Sequence, residues 1–314
     1  MTGDRSICGV PSETSGQLMT ATSRQLMNAD NREQRSQTQS SVPTRGLFER
    51  PAKSFDLDAR AIGWVLADVA NPLNKIVQLI PAGACVLDIG AGNGILARLL
   101  ASLGRDVTVD AIEPDPVARE AAAPFYRSIF AGKLEDYLKG SRADETRYDF
   151  IVLADVLEHL ANPEPLLRQA KALLSRGGRI IVSTPNIAFA SVRLALLNGR
   201  FDYVDSGILE RTHLRFFTLR TLQRLFSAVG LYPSAQFHCL RDPFGSEISL
   251  DGLSISPWLL AKLARDELSF VYQFLFVLGT EPPEATVRTD LGSRGPSLPI
   301  GYFVRRVRRT LERF

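Results

Sequence analysis

Val86-Leu87-Asp88-Ile89-Gly90-Ala91-Gly92-Asn93-Gly94 carries an apolar run into an acid and then into three glycines at alternate positions. The run reads as a buried strand, and the glycines as a tight turn opening a helix over Gly94–Leu103. Glycine lets the backbone turn sharply and lets a ligand approach main-chain N–H groups without a Cβ in the way. The spacing is G-x-G-x-G, because the third glycine of the dinucleotide pattern G-x-G-x-x-G would fall on Ile95. No Gly-Lys-Ser/Thr follows, so a P-loop is excluded as well.

Strand-like and helix-like segments alternate downstream of this turn. The strands read as Cys85–Ile89, Val107–Ile112, Ser128–Ala131, Phe150–Ala154 and Arg179–Ser183, and the helices between them as Gly94–Leu103, Pro116–Ala123 and Pro163–Ser175. Short apolar runs separated by helical patterns predict a doubly wound, mostly parallel α/β sheet with helices on both faces. Upstream, Ile62, Val65, Leu66, Val69, Leu73, Ile76, Val77 and Ile80 keep helical spacing, with a break near Asn71-Pro72. After Ser183 the pattern loosens into helices over Ile187–Leu197, Thr218–Val229 and Trp258–Arg265 and strands over Leu231–Leu240 and Phe270–Leu278.

The two ends differ from this body. Residues 1–45 are rich in Ser, Thr, Gln and Asn and have no sustained apolar period, a composition that predicts a disordered arm. Residues 281–314 form a Pro/Gly-rich linker and a basic tail whose seven arginines and four acids account for the whole net charge of +3. On a helix, Phe303, Val307, Leu311 and Phe314 of that tail share one face with arginines around it, an arrangement that suits either an anionic membrane surface or docking on the chain itself or a partner. The remaining 46–280 is expected to be one domain, and residues 1–280 as a whole are neutral, without the basic stripe of a nucleic-acid binder. Cys8, Cys85 and Cys239 are far apart, which argues against zinc sites and disulfides and fits a cytoplasmic setting, with contact to the inner face of the membrane through 302–314 as an addition. No apolar stretch reaches the roughly 20 residues of a membrane-spanning helix.

A second acid sits at an informative distance. Glu113 ends the strand after the glycine turn, 23 residues beyond Gly90, where a carboxylate can accept both hydroxyls of a ribose. Taken in order, VLDIGAGNG, Glu113, YDFIVLADVLEHL and GGRIIVSTPN resemble the successive motifs of class I S-adenosylmethionine-dependent methyltransferases. The likeness continues through RTHLRFFTLRTLQRLFSAVGL, similar to a bacterial branch that modifies small molecules, quinones and surface glycans. It covers about residues 60–280 and implies a seven-stranded sheet whose last strand is antiparallel.

That resemblance implies roles for particular residues. Asp88 and the Gly90, Gly92, Asn93 and Gly94 loop would hold the methionine part of S-adenosyl-L-methionine, and Glu113 its ribose. Leu134 and Glu135 would frame the adenine, although Lys133 stands where an Asp often accepts the adenine amino group. Ala154, Asp155 and Val156 would line the cofactor, and Asn186 would lie where the family meets its acceptor. Arg211 and Arg215 could bind an anionic group of the acceptor. His159 and His213 are the candidate bases for deprotonating a hydroxyl, since imidazole titrates near neutrality. No compact His/Asp cluster is visible in the sequence, so no metal is expected. The reading is O-methylation of a small molecule or a sugar hydroxyl. Methylation of a quinone or phenol is the alternative, and a cofactor-binding partner subunit without turnover a further one. Oligomeric state stays open.

Overall fold

The computed structural model describes residues 59–139, 147–283 and 288–290. The expected arm at 1–45 and the basic amphipathic segment at 302–314 lie outside the described residues.

In chain order the elements are α1 (Ala59–Ala67), α2 (Pro72–Leu79), β1 (Cys85–Ile89), α3 (Ile95–Ser102), β2 (Thr108–Glu113), α4 (Pro116–Ala122), β3 (Ser128–Ala131), α5 (Leu134–Leu138) and β4 (Tyr148–Ala154). They continue with α6 (Glu164–Ala172), β5 (Leu174–Pro185), α7 (Ala190–Leu197), α8 (Leu219–Ala228), β6 (Tyr232–Leu240), α9 (Pro257–Ala264), β7 (Val271–Gly279) and β8 (Arg288–Asp290). The sheet order is β3-β2-β1-β4-β5-β7-β6-β8. β1 to β5 are parallel, β7 runs antiparallel between β5 and β6, and the three-residue β8 adds an eighth strand beside β6 to the expected seven.

Side-chain alternation on the central strands builds two cores. Leu87, Ile89, Ile151, Leu153, Ile180 and Val182 point to one face, where they pack with Leu167 of α6 and Leu222 and Phe226 of α8. Val86, Val109, Val152, Ile181 and Leu275 point to the other, against Ile76 and Val77 of α2 and Leu96, Leu99 and Leu100 of α3. Burial on both faces explains why these strands lack polar alternation. The break at Asn71-Pro72 is real: Asn71 caps α2 by accepting from Leu73 N, and Pro72 occupies the first turn. Val69 falls in that break and is exposed, not part of the buried stripe.

The strand order reverses between β1 and β4, since β2 and β3 extend to one side of β1 and β5 to the far side of β4. In open α/β sheets the crevice at the carboxyl ends of the strands flanking such a reversal is where ligands bind. Here the glycine turn after β1 and the Asp155–His159 turn after β4 share that crevice. A Cβ placed on Gly90 would come within 2.9 Å of Val156 Cγ2.

Candidate active site

The turn after β1 depends on left-handed backbone: φ is 78° at Gly90, 54° at Gly92 and 85° at Gly94. A side chain at these positions would strain the turn, and at Gly90 it would also occupy the crevice. Gly90 N donates to Ile112 O at 2.8 Å, which ties the turn to the end of β2. The Glu113 carboxylate completes the tie, with Gly92 N donating to one oxygen at 2.7 Å and Asp115 N to the other at 2.8 Å. A carboxylate offers about four lone-pair sites, so these two bonds leave acceptor capacity for a pair of hydroxyls. Asp115 then caps α4, accepting from Val117 N and Ala118 N at 2.9 Å.

Asp88 lies behind the glycine turn and is buried. Tyr126 Oη donates to its Oδ2 at 2.6 Å. Burial pushes the Asp88 carboxyl up to about 7; the Tyr126 hydrogen bond opposes that shift and the nearby Glu113 charge adds to it. Leu134 is buried at the start of α5, whereas Lys133 and Glu135 are exposed. Asp155, expected to line the cofactor, has φ 56°, unusual for a residue other than glycine. Ser183 Oγ holds it, donating to Oδ1 at 2.8 Å, and Gln273 Nε2 from β7 donates to the same oxygen. Strain of this kind is typical of binding turns.

Two segments distant in sequence meet beside this crevice. Glu158 O accepts from Leu214 N at 2.7 Å and Arg215 N at 3.0 Å, pinning the 208–215 segment onto the turn after β4. The rings of His159 and His213 are thereby brought edge to face, with centroids 4.8 Å apart. Glu158 itself is buried, and its Oε2 accepts from Thr184 Oγ1 at 3.1 Å while Oε1 has no hydrogen-bond partner among the described residues. Burial, reinforced by the nearby Asp155, holds its carboxyl well above the usual carboxylate range.

One donor atom each from Glu158, His159 and His213 lies within 4.8 Å of the other two. The expectation that the chain has no compact cluster of this kind is therefore corrected. The cluster was invisible in sequence because it forms only when the 208–215 segment folds back. Three such groups could receive a divalent cation.

Tautomers follow from the partners. His213 Nδ1 lies 2.9 Å from Ile208 O, and a carbonyl only accepts, so Nδ1 carries a proton, and in the neutral ring the lone pair is on Nε2. His159 Nδ1 lies 3.3 Å from Thr212 O and 3.0 Å from Thr212 Oγ1, and the same reasoning applies. In the neutral form each imidazole has its lone pair on Nε2.

The expected acceptor-binding residues fare differently. Asn186 is held inside the fold. It is buried, its Nδ2 donates to Leu268 O at 3.2 Å and Val271 O at 2.8 Å, and its Oδ1 accepts from Ala188 N at 3.0 Å. It anchors the end of β5 to β7. Arg211 pairs with Asp205 at 2.9 Å, and Arg215 Nε donates to Ala161 O at 2.8 Å, so both tie loops together. Aromatic rings stand near the histidines instead: Phe216 lies 6.4 Å from His213, and Phe201 5.5 Å from Phe216. Tyr126, Glu210, Thr212 and Gln273 were missed by sequence reasoning. Only Gln273 carried a signal, as a polar residue inside the apolar strand VYQFLFVLG.

Residues 62–236 match the family model described as a methyltransferase domain. The chain belongs to that family. Its fold, the glycine turn and Glu113 agree with the class I S-adenosylmethionine-dependent group, and S-adenosylmethionine is the cofactor that group uses. The residues present fit that molecule: a cradle that a Cβ would fill, rimmed by a carboxylate with spare acceptor sites. Among relatives, a ubiquinone biosynthesis O-methyltransferase from Xanthomonas axonopodis pv. citri is 33% identical over 143 residues, covering 43% of this chain and 56% of the relative. One of the same name from Nitrobacter winogradskyi is 32% identical over 215 residues, covering 66% of this chain and 74% of the relative. The chain thus spans little more than half the length of the Xanthomonas relative. A methyltransferase from Archaeoglobus fulgidus overlays with a TM-score of 0.47 at 15% identity, covering 67% of this chain and 92% of that one. That overlap is too loose to bear on function, and the fold rests on the strand order itself.

Proposed function

We propose that this methyltransferase-family protein methylates a hydroxyl of a small aromatic acceptor, a phenol or a reduced quinone. The observation that carries the reading is the pairing of two imidazoles, His159 and His213, at the turn after β4 whose Val156 lies against Gly90 of the glycine turn. When bound, S-adenosylmethionine supplies a methyl carbon activated by positive sulfur. Asp88, the Gly90–Gly94 turn and Glu113 would hold it, with Leu134 and Val156 beside it.

The chain's own residues have two tasks. They must align the acceptor oxygen and exclude water, and they must take a proton from the hydroxyl. A phenolic hydroxyl with a pKa near 10 is a far easier proton donor to imidazole than a sugar hydroxyl. Phe201 and Phe216 offer ring faces near His213, while Arg211 and Arg215 are already engaged in loop contacts. These features favour the phenolic acceptor over the glycan, and the names of the relatives point the same way.

The test is transfer of labelled methyl groups to a panel of catechols, hydroquinones and nucleotide sugars, with S-adenosylhomocysteine quantified as co-product. Transfer to catechols or hydroquinones alone is expected. Transfer only to sugars would overturn the acceptor class. Cofactor binding without transfer to any member, together with a stable complex with a second methyltransferase, would favour a non-catalytic partner subunit.

Peripheral membrane contact through 302–314 is part of the proposal only as a property of the sequence. Among the described residues no helix is long and apolar enough to cross a membrane.

A further inference from the structure

Among the described residues, Asp155 alone combines a side chain with a positive φ, at 56°. In left-handed backbone the Cβ crowds the following carbonyl oxygen, so a residue other than glycine persists there only where its surroundings enforce it. Two side chains enforce it here, both from beneath the turn. Ser183 Oγ donates to Asp155 Oδ1 at 2.8 Å, while the Asp155 N–H is directed at Ser183 O and Oγ, each at 3.2 Å. Gln273 Nε2 donates to the same Oδ1. Ser183 and Gln273 are buried, whereas Asp155 itself is exposed at the crevice.

The sheet explains how a residue of β7 reaches this turn. β4 and β5 run parallel with Ala154 beside Ser183, and β7 runs antiparallel to β5 with Gln273 beside Pro185. The start of β7 therefore lies level with the carboxyl ends of β4 and β5, where the chain leaves β4 for the turn. Gln273 interrupts a strand whose Val271, Phe274, Leu275 and Phe276 are fully buried. A buried amide without an acceptor is costlier than an apolar side chain of the same size. Asp155 Oδ1 is the acceptor that Gln273 Nε2 has among the described residues.

Asp155 also sets where the chain goes next. Val156 follows it and stands against the glycine turn, its Cγ2 2.9 Å from where a Cβ on Gly90 would lie. Rotation of Asp155 out of the left-handed region would swing Val156 away from that wall.

We propose that Gln273 is a positioning residue for the cofactor: with Ser183 it clamps Asp155 in left-handed backbone and so keeps Val156 at the wall of the S-adenosylmethionine site. Gln273 lies beneath the turn and acts through Asp155. The proposal rests on the cofactor and not on the acceptor class proposed above. Without the amide, the chain spends part of its time with Asp155 in ordinary backbone, and apparent affinity falls with the fraction left in the binding form. Ser183 remains as a second donor, so the loss is partial.

The experiment is a double-mutant cycle on the full chain, read by calorimetric binding of S-adenosylhomocysteine and by the urea midpoint of the unliganded protein. Gln273→Met keeps the length of the side chain and removes the donor. It is expected to weaken binding about fivefold, the equilibrium worth of one net hydrogen bond. Glycine adopts left-handed backbone without help, so an Asp155→Gly chain should still bind, and within it Gln273→Met should bring no further loss. The urea midpoint should change sign across the cycle. Gln273→Met lowers it in the wild-type background and raises it in the Asp155→Gly chain, where the buried amide has lost its acceptor. Should Gln273→Met not fold, Ser183→Ala removes the other donor to Oδ1; it should weaken binding in the wild-type background and add nothing to Asp155→Gly. An equal loss of affinity from Gln273→Met in both backgrounds would make Gln273 a general packing residue and overturn the proposal. Unchanged affinity in Gln273→Met would overturn it too. So would an Asp155→Gly chain that does not bind, because the cofactor would then need the carboxylate and not the backbone conformation.

Discussion

Replacing Asp88 by Asn tests the physical reading of the glycine turn without touching its backbone. The carboxyl is buried and hydrogen-bonded to Tyr126 Oη, and burial raises it from 3.8 to about 7. In the unfolded chain it ionises near 3.8. Between those two values the native state therefore holds a proton that the unfolded state has released. Stability from this group is fully present below pH 3.8 and is lost as pH rises through 7. At about 1.36 kcal/mol per unit the whole span is worth roughly 4 kcal/mol, of which roughly 3 kcal/mol falls between about pH 5 and pH 8. Asn keeps the shape and an acceptor for Tyr126 but does not titrate. Urea unfolding of wild type and Asp88→Asn at both pH values isolates the effect, because the remaining carboxylates cancel in the difference. Wild type should lose roughly 3 kcal/mol relative to the variant on going from the lower to the higher pH. Parallel pH profiles would show that Asp88 is hydrated and ionised throughout, which would refute the burial argument.

Further outcomes follow from single contacts. Gly90→Ala forces a side chain into left-handed backbone, costing roughly 1–2 kcal/mol, and sets its Cβ 2.9 Å from Val156 Cγ2. Cofactor affinity measured by calorimetry should drop, and Val156→Ala in the same chain should recover part of it; no drop would place the ligand away from this turn. Glu113→Gln keeps side-chain bulk but not the charge that Gly92 N and Asp115 N donate to. It should weaken S-adenosylmethionine binding by about 1–3 kcal/mol in the same titration. Asn186→Ala should lower the urea midpoint, by roughly 2–3 kcal/mol in stability, with the acceptor KM unmoved; the reverse pattern would place Asn186 in the acceptor site.

How far the sequence could be read depended on the range of the interactions. Strands β1, β4 and β5 were legible because burial on both faces writes a continuous apolar run, and their parallel direction followed from the alternating helices. α5 has five residues, too few to show a period, and β8 has three, so both passed unseen. The glycine turn and Glu113 were legible because local spacing alone demands them. The partners of Asn186 were not legible, since nothing local shows that β7 and the residues just before it supply the carbonyls it binds. The same limit hid Thr212 and Glu210. Thr212 contacts His159, more than fifty positions away, and Glu210 contacts Thr212; only the fold-back of the 208–215 segment brings them there.

Calorimetric titration of the full chain with S-adenosylmethionine, S-adenosylhomocysteine and NAD tests the central claim most directly. The glycine turn, Glu113 and the strand reversal together require micromolar binding of both adenosyl compounds and none of NAD. Heat from NAD, or none from either adenosyl compound, would contradict the account and leave this chain with the family's fold but not its cofactor site.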